Sequence, residues 1–235
     1  MTTDTLAFVG AAGGVGTTRL TLESATLLAR NGRDVAVLDA AYATQGLADL
    51  TPGRIDPDMT ALCLDDAPLE TGLQDRRLEG AGRLAVCPAR APFERLARAK
   101  TPEAAESFED RIAEGVRAFD HVLLDVPPVA ANQAVAATTA ADAVAVVADA
   151  ARASDAIPRA HDRLLDLGVE TTAAVVTHTD GHPEADATVP TLESEPPAVT
   201  DDTAARKEVG GVLAATMDLS VDPDAGDGLR GKLSL

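Results

Sequence analysis

Six short, nearly continuous apolar runs divide this chain: LAFVG (6–10), VAVL (35–38), LAVC (84–87), VLLDV (122–126), AVAVVA (143–148) and TAAVVT (172–177). A strand with one wet face alternates apolar and polar residues, whereas a run without alternation is covered on both faces. Between several of these runs the spacing is helical. Residues 17–30 place Leu20, Leu27 and Leu28 on one side and stop at Asn31-Gly32. Residues 102–118 begin near Pro102 and align Phe108, Ile112 and Val116, and residues 154–167 hold Pro158 within the first turns, where it is tolerated. A last helix is expected over 203–217, weakened by Gly210-Gly211. Strands alternating with helices dictate an α/β fold: a mostly parallel sheet of about seven strands, a short one near 187–190 included, with helices on both faces.

The segments that break this rhythm are loops. Residues 51–83 carry Pro52, Gly53, Pro57, Pro68, Gly72, Gly80 and Gly82, which suit short helices and turns. Residues 180–202 hold Pro183, Pro190, Pro196 and Pro197 among many acids and read mostly as surface loop. One domain over 1–220 is expected, with 221–235 as a flexible tail.

GAAGGVGTTRLT, residues 10–21, follows the first apolar run and opens the first helix. A strand-to-helix turn of this kind aims backbone N–H groups at a phosphate; glycines allow close approach and the helix dipole favours the anion. In the pattern G-x-x-x-x-G-K-[ST], Gly16 is the second glycine. Ala11 then stands in place of the first, Thr17 in place of the lysine, and Thr18 keeps the hydroxyl that would ligate Mg²⁺.

The order of motifs resembles the MinD/ParA family of deviant-Walker P-loop ATPases. The family loop K-G-G-x-G-K-[ST] aligns with AGGVGTT (12–18). Its D-x-D after the second strand aligns with Asp39-Ala40-Ala41. Its apolar strand ending in Asp and Pro aligns with FDHVLLDVPP (119–128), giving Asp125 and Pro127. Residues 84–95 and 132–156 continue the likeness, which covers roughly residues 5–220. It implies a three-layer P-loop NTPase fold and an ATP or ADP site with Mg²⁺. Gly13, Gly14, Val15, Gly16, Thr17, Thr18 and Arg19 would cradle the nucleotide, and Thr18, Asp39 and Asp125 would sit near the metal.

The departures remove catalytic and nucleotide-binding groups. The family's first loop lysine, which reaches the partner's nucleotide across a dimer, is Ala12. Its second, which holds the β- and γ-phosphates, is Thr17. The Asp that helps position water is Ala41, and the base-reading Asn after the strand at 172–177 is missing from Thr177-His178-Thr179. Arg19 is the one new cation nearby. Losing a charge-assisted hydrogen bond costs about 1.5–3 kcal/mol, so nucleotide binding by the backbone cradle is expected to be weak or absent. Charge stabilisation in phosphoryl transfer is worth ~10³–10⁵ in rate, so little hydrolysis is expected, with turnover lost or very slow. The expected function is that of a pseudo-ATPase, a regulatory or positioning factor acting through protein partners. The alternatives are a working ATPase with Arg19 in the lysine's role, and a nucleotide-free structural partner of an intact paralogue. A homo- or heterodimer fits the family.

Net charge bounds the partners. With 38 acidic and 20 basic residues the chain carries −18, and only Lys100, Lys207 and Lys232 are lysines. Such a surface suits a salt-in halophile, where self-repulsion is screened. It lacks the basic stripe that binding to nucleic acid needs. No signal-like start and no run of ~18–20 apolar residues appears, so a soluble cytoplasmic protein is expected. The tail GLRGKLSL (228–235) pairs leucines with Arg230 and Lys232 but holds two glycines, and membrane docking is not expected. His178, Asp180 and His182 form a weak candidate metal set. Cys63 and Cys87 read as free buried thiols.

Overall fold

In the computed structural model, which describes residues 4–78 and 82–226, every apolar run named above becomes a buried strand. They are β1 (Thr5–Gly10), β2 (Val35–Asp39), β4 (Leu84–Cys87), β5 (His121–Val126), β6 (Ala143–Asp149) and β7 (Ala173–Thr177), while the short run after them is β8 (Ala187–Val189). An eighth strand, β3 (Gln74–Arg76), was not expected. The sheet order is β3-β4-β2-β5-β1-β6-β7-β8, and only the β3–β4 pair is antiparallel. β3 is polar and only partly buried because it lies at the sheet edge, so its sequence, Gln-Asp-Arg, carries no apolar signature.

The helices are α1 (Thr17–Arg30), α2 (Gly46–Asp49), α3 (Met59–Asp65), α4 (Phe93–Arg98), α5 (Pro102–Ala118), α6 (Asn132–Thr139), α7 (Ala153–Asp166) and α8 (Thr203–Met217). Alternate residues of each strand feed two cores. Leu6 and Phe8 of β1 face a layer with Leu22 and Leu27 of α1 and Val209 and Leu213 of α8. Ala7 and Val9 face the opposite layer, which holds Leu62 of α3, Phe108 and Ile112 of α5, and Leu164 of α7. With no Trp, the largest buried side chains are Tyr42 and Phe8.

Two details depart from expectation. α8 runs unbroken through Gly210-Gly211; a Cβ on Gly210 would meet Val221 Cγ2 at 3.2 Å, so the glycine admits the following chain. The chain past residue 220 is also tied down as far as it is described: Arg30 donates to the Ala225 carbonyl, and Asn31 exchanges hydrogen bonds with the Asp222 backbone. The segment GLRGKLSL lies outside the described residues. No described helix is long and apolar enough to cross a membrane.

Candidate phosphate-binding site

Parallel strands point their carboxyl ends to one edge, where α/β folds bind ligands. β1 lies between β5 and β6 there, and its end feeds residues 11–16 into α1. Gly14 (φ 75°) and Gly16 (φ 86°) are left-handed, the conformation that turns successive N–H groups to one side. The loop's carbonyls are anchored behind it. Thr177 Oγ1 donates to the Val15 carbonyl at 2.8 Å, Arg152 donates to the Gly13 carbonyl at 3.1 Å, and Ala11 N–H donates to Val147 of β6. Val15 is buried and seats the loop. No hydrogen bond to the N–H groups of residues 13–19 occurs among the described residues. Gly16 caps α1 without a side-chain bond, so the first turn of the helix is equally open. These unpaired donors line a cavity of about 500 Å³, together with Ala41, Thr44, Gly46, Asp125 and Pro127. That volume is ordinary for a small-molecule site.

The loop residues predicted from sequence, Gly13 to Arg19, all reach this cavity, but their side chains do different things. Thr17 sits back on the strand: a Cβ on Gly10 would lie 2.8 Å from its hydroxyl oxygen. Thr18 turns toward Gly46, where an added Cβ would meet its Oγ1 at 3.2 Å, and toward Asp125. Arg19 is committed elsewhere. Its guanidinium donates to the Ser194 carbonyl and pairs with Glu23 at 3.4 Å, so it does not replace the absent lysine.

The two aspartates sit side by side, Asp39 at the end of β2 opposite Asp125 on β5. Both are buried. Asp39 does not line the cavity. Ala41 N–H donates to one of its oxygens at 2.7 Å and Ala89 N–H to the other at 2.9 Å, so it pins the loops after β2 and β4. Asp125 does line it, and neither of its oxygens has a partner of normal geometry; the Thr18 hydroxyl faces the carboxyl and only tempers its proton affinity. Burial raises the pKa of both, and the nearby Asp125 charge raises Asp39 further. An orphaned buried carboxylate beside a hydroxyl and unpaired N–H groups fits a divalent cation with a phosphate. Of the three residues expected near a metal, Thr18 and Asp125 line the cavity, while Asp39 stands behind them.

His178, Asp180 and His182 do not converge. Among the described residues no group of three or more His, Cys, Asp or Glu is placed to hold a metal; His178 contacts the Thr177 hydroxyl and His182 accepts from Glu184 N–H. Cys63 and Cys87 are free and buried, as expected.

Sequence reading missed Arg152, which also pairs with Asp149. The Asp-x-x-Arg step at the end of β6 was visible, but its reach to Gly13, 139 residues away, exists only in the fold. It missed Glu23 as well. This buried carboxylate accepts N–H bonds from Ala198 and Val199 and holds the loop before α8 against α1.

No family model and no curated protein matches the sequence. Solved structures do match in fold. The septum site-determining protein MinD from Pyrococcus horikoshii, complexed with Mg-ADP, aligns over 88% of this chain and 92% of its own, at 17% identity and TM-score 0.67. Cobyrinic acid a,c-diamide synthase from Mycobacterium smegmatis, with bound ADP and magnesium, aligns over 90% and 94%, at 20% identity and TM-score 0.67. A variant of Cyanothece McdA in complex with ATP aligns over 91% and 96%, at 15% identity and TM-score 0.66. By its sheet order, the glycine loop after β1 and these likenesses, the chain is an α/β protein of P-loop NTPase fold, built like MinD.

Proposed function

We propose that this protein is a MinD/ParA-like regulatory or positioning factor that holds ATP or ADP with Mg²⁺ weakly and hydrolyses it little or not at all. The observation that supports it is the contrast within one cavity: unpaired N–H groups from residue 13 onward and an orphaned Asp125 carboxylate, but Ala12, Thr17 and Ala41 where the family has charge. The N–H groups and the α1 dipole take the phosphates. Thr18 and Asp125 hold Mg²⁺, which when bound neutralises phosphate charge. Arg152 keeps the loop in shape by its bond to the Gly13 carbonyl. The position of the family's water-positioning Asp is Ala41, and Arg19 is engaged by Ser194 and Glu23. The protein then acts through what binds it, as a homodimer, as a heterodimer with an intact paralogue, or by docking another protein.

Mg-dependent ATP hydrolysis at high salt tests this reading. The expected result is a rate at background, unchanged by Thr18→Ala. A steady rate that disappears on Thr18→Ala makes the protein a working ATPase and overturns the proposal.

A further inference from the structure

α4 carries the most exposed large apolar side chain described. Phe93 is 84% exposed, against 49% for Leu165, the next. Its exposed neighbours on the helix are Glu94, Ala97 and Arg98, while Leu96 and Ala99 face the core. Pro92 precedes it, also exposed, so Pro92, Phe93 and Ala97 form a small apolar centre. Scattered surface apolar residues need no explanation, but the charge around this one does.

Residues 90–100 hold Arg90, Arg95, Arg98 and Lys100 against a single acid, Glu94, in a chain of net charge −18. Arg95 is spent on the buried Asp58 at 2.8 Å. Arg90, Arg98 and Lys100 make no ion pair among the described residues, although α5 follows directly with Glu103, Glu106 and Glu109. Aromatic and arginine side chains are the types enriched in protein interfaces, and a charged rim around an apolar centre is their usual plan.

The patch is also continuous with the phosphate cavity. Gln45 Nε2 donates to the Ala91 carbonyl at 3.1 Å, and Ala89 N–H donates to Asp39 at 2.9 Å. Thr44 and Gly46, on either side of Gln45, line the cavity. The backbone leading into α4 is thus hydrogen-bonded to the loop that walls the site.

We propose that the α4 face, centred on Phe93 and rimmed by Arg90, Arg98 and Lys100, docks an acidic segment of a protein partner that carries an apolar side chain. Charge complementarity selects that occupant. Two copies of this face repel one another, and three cations are too few for a nucleic-acid backbone against so negative a chain.

A labelled synthetic peptide of glutamate and leucine, beside a control of lysine and leucine, tests the proposal on the full chain. The titration is run near 0.5 M salt, where the Debye length is about 4 Å and only contact charges act. The acidic peptide should bind and the control should not. Phe93→Ser should weaken binding by ~10-fold or more, as loss of an interface anchor does, and Arg90→Glu with Arg98→Glu should abolish it. All three positions are exposed, so the variants should keep the wild-type circular dichroism and Tm. Failure of the acidic peptide to bind, equal binding of the two peptides, or binding unchanged in both variants overturns the proposal. Self-association of the wild type that Phe93→Ser removes assigns the face to a second copy and overturns it too.

Discussion

Asp125 carries the sharpest conflict in the molecule. Its carboxyl is buried with only the Thr18 hydroxyl beside it, and an unsatisfied buried polar group costs about 1–3 kcal/mol, more when charged. Asp39 beside it has two N–H donors but shares the burial and the like charge. Both therefore bind protons more tightly folded than unfolded. For such groups stability is full below the unfolded pKa, about 4, and falls as pH rises through the raised folded values. Without Mg²⁺, thermal stability should thus decline from mildly acidic to neutral pH. Asp125→Asn should flatten that decline and raise Tm at pH 8 by several degrees, since ~1 kcal/mol moves Tm about 2–4 °C at this size. It should also remove the Mg²⁺ dependence of nucleotide binding. A variant less stable than wild type at pH 8 would contradict the account. Thr17 supplies the converse test. Thr17→Lys restores the missing charge and should tighten nucleotide binding by roughly 10–150-fold, read by calorimetry; unchanged affinity would show that the loop does not face the phosphates.

At the scale of elements, α1 does two jobs. Its first turn faces the cavity, and one turn later Glu23 grips the backbone at Ala198 and Val199. Glu23→Ala leaves two N–H groups without their acceptor and should lower stability by about 2–4 kcal/mol, seen as a lower urea midpoint with the slope unchanged. A change within ~0.5 kcal/mol would mean the loop before α8 is held by its apolar contacts alone. The central strands were legible because burial on both faces writes itself as continuous apolar residues, as in VAVL and AVAVVA. α5 was legible through Pro102 and the Phe108–Ile112 stripe. β3 was not, because an edge strand of Gln-Asp-Arg needs only backbone pairing with β4. In the candidate site the glycines and Thr18 were legible from spacing. Arg152, Thr177 and the capture of Arg19 by Ser194 were not, since each is a contact across more than 100 residues.

Across the whole molecule a charge of −18 sets the conditions in which the fold operates. Self-repulsion weakens the compact state at low ionic strength and is screened within about 3 Å at ~1 M salt. Tm should therefore climb steadily between 0.1 and 2 M KCl, and a flat profile would mean that the carboxylates are already neutralised by their neighbours. The same field repels nucleotides, so binding is measured where it is screened. The central claim is that a lysine-free backbone cradle with Thr18 and Asp125 still holds a nucleotide. Calorimetric titration of the full chain with Mg-ATP at ~2 M KCl tests it most directly. The account predicts saturable, Mg-dependent binding, weakened by Thr18→Ala. No saturable binding at millimolar Mg-ATP, by a protein that is folded under the same conditions, would contradict it.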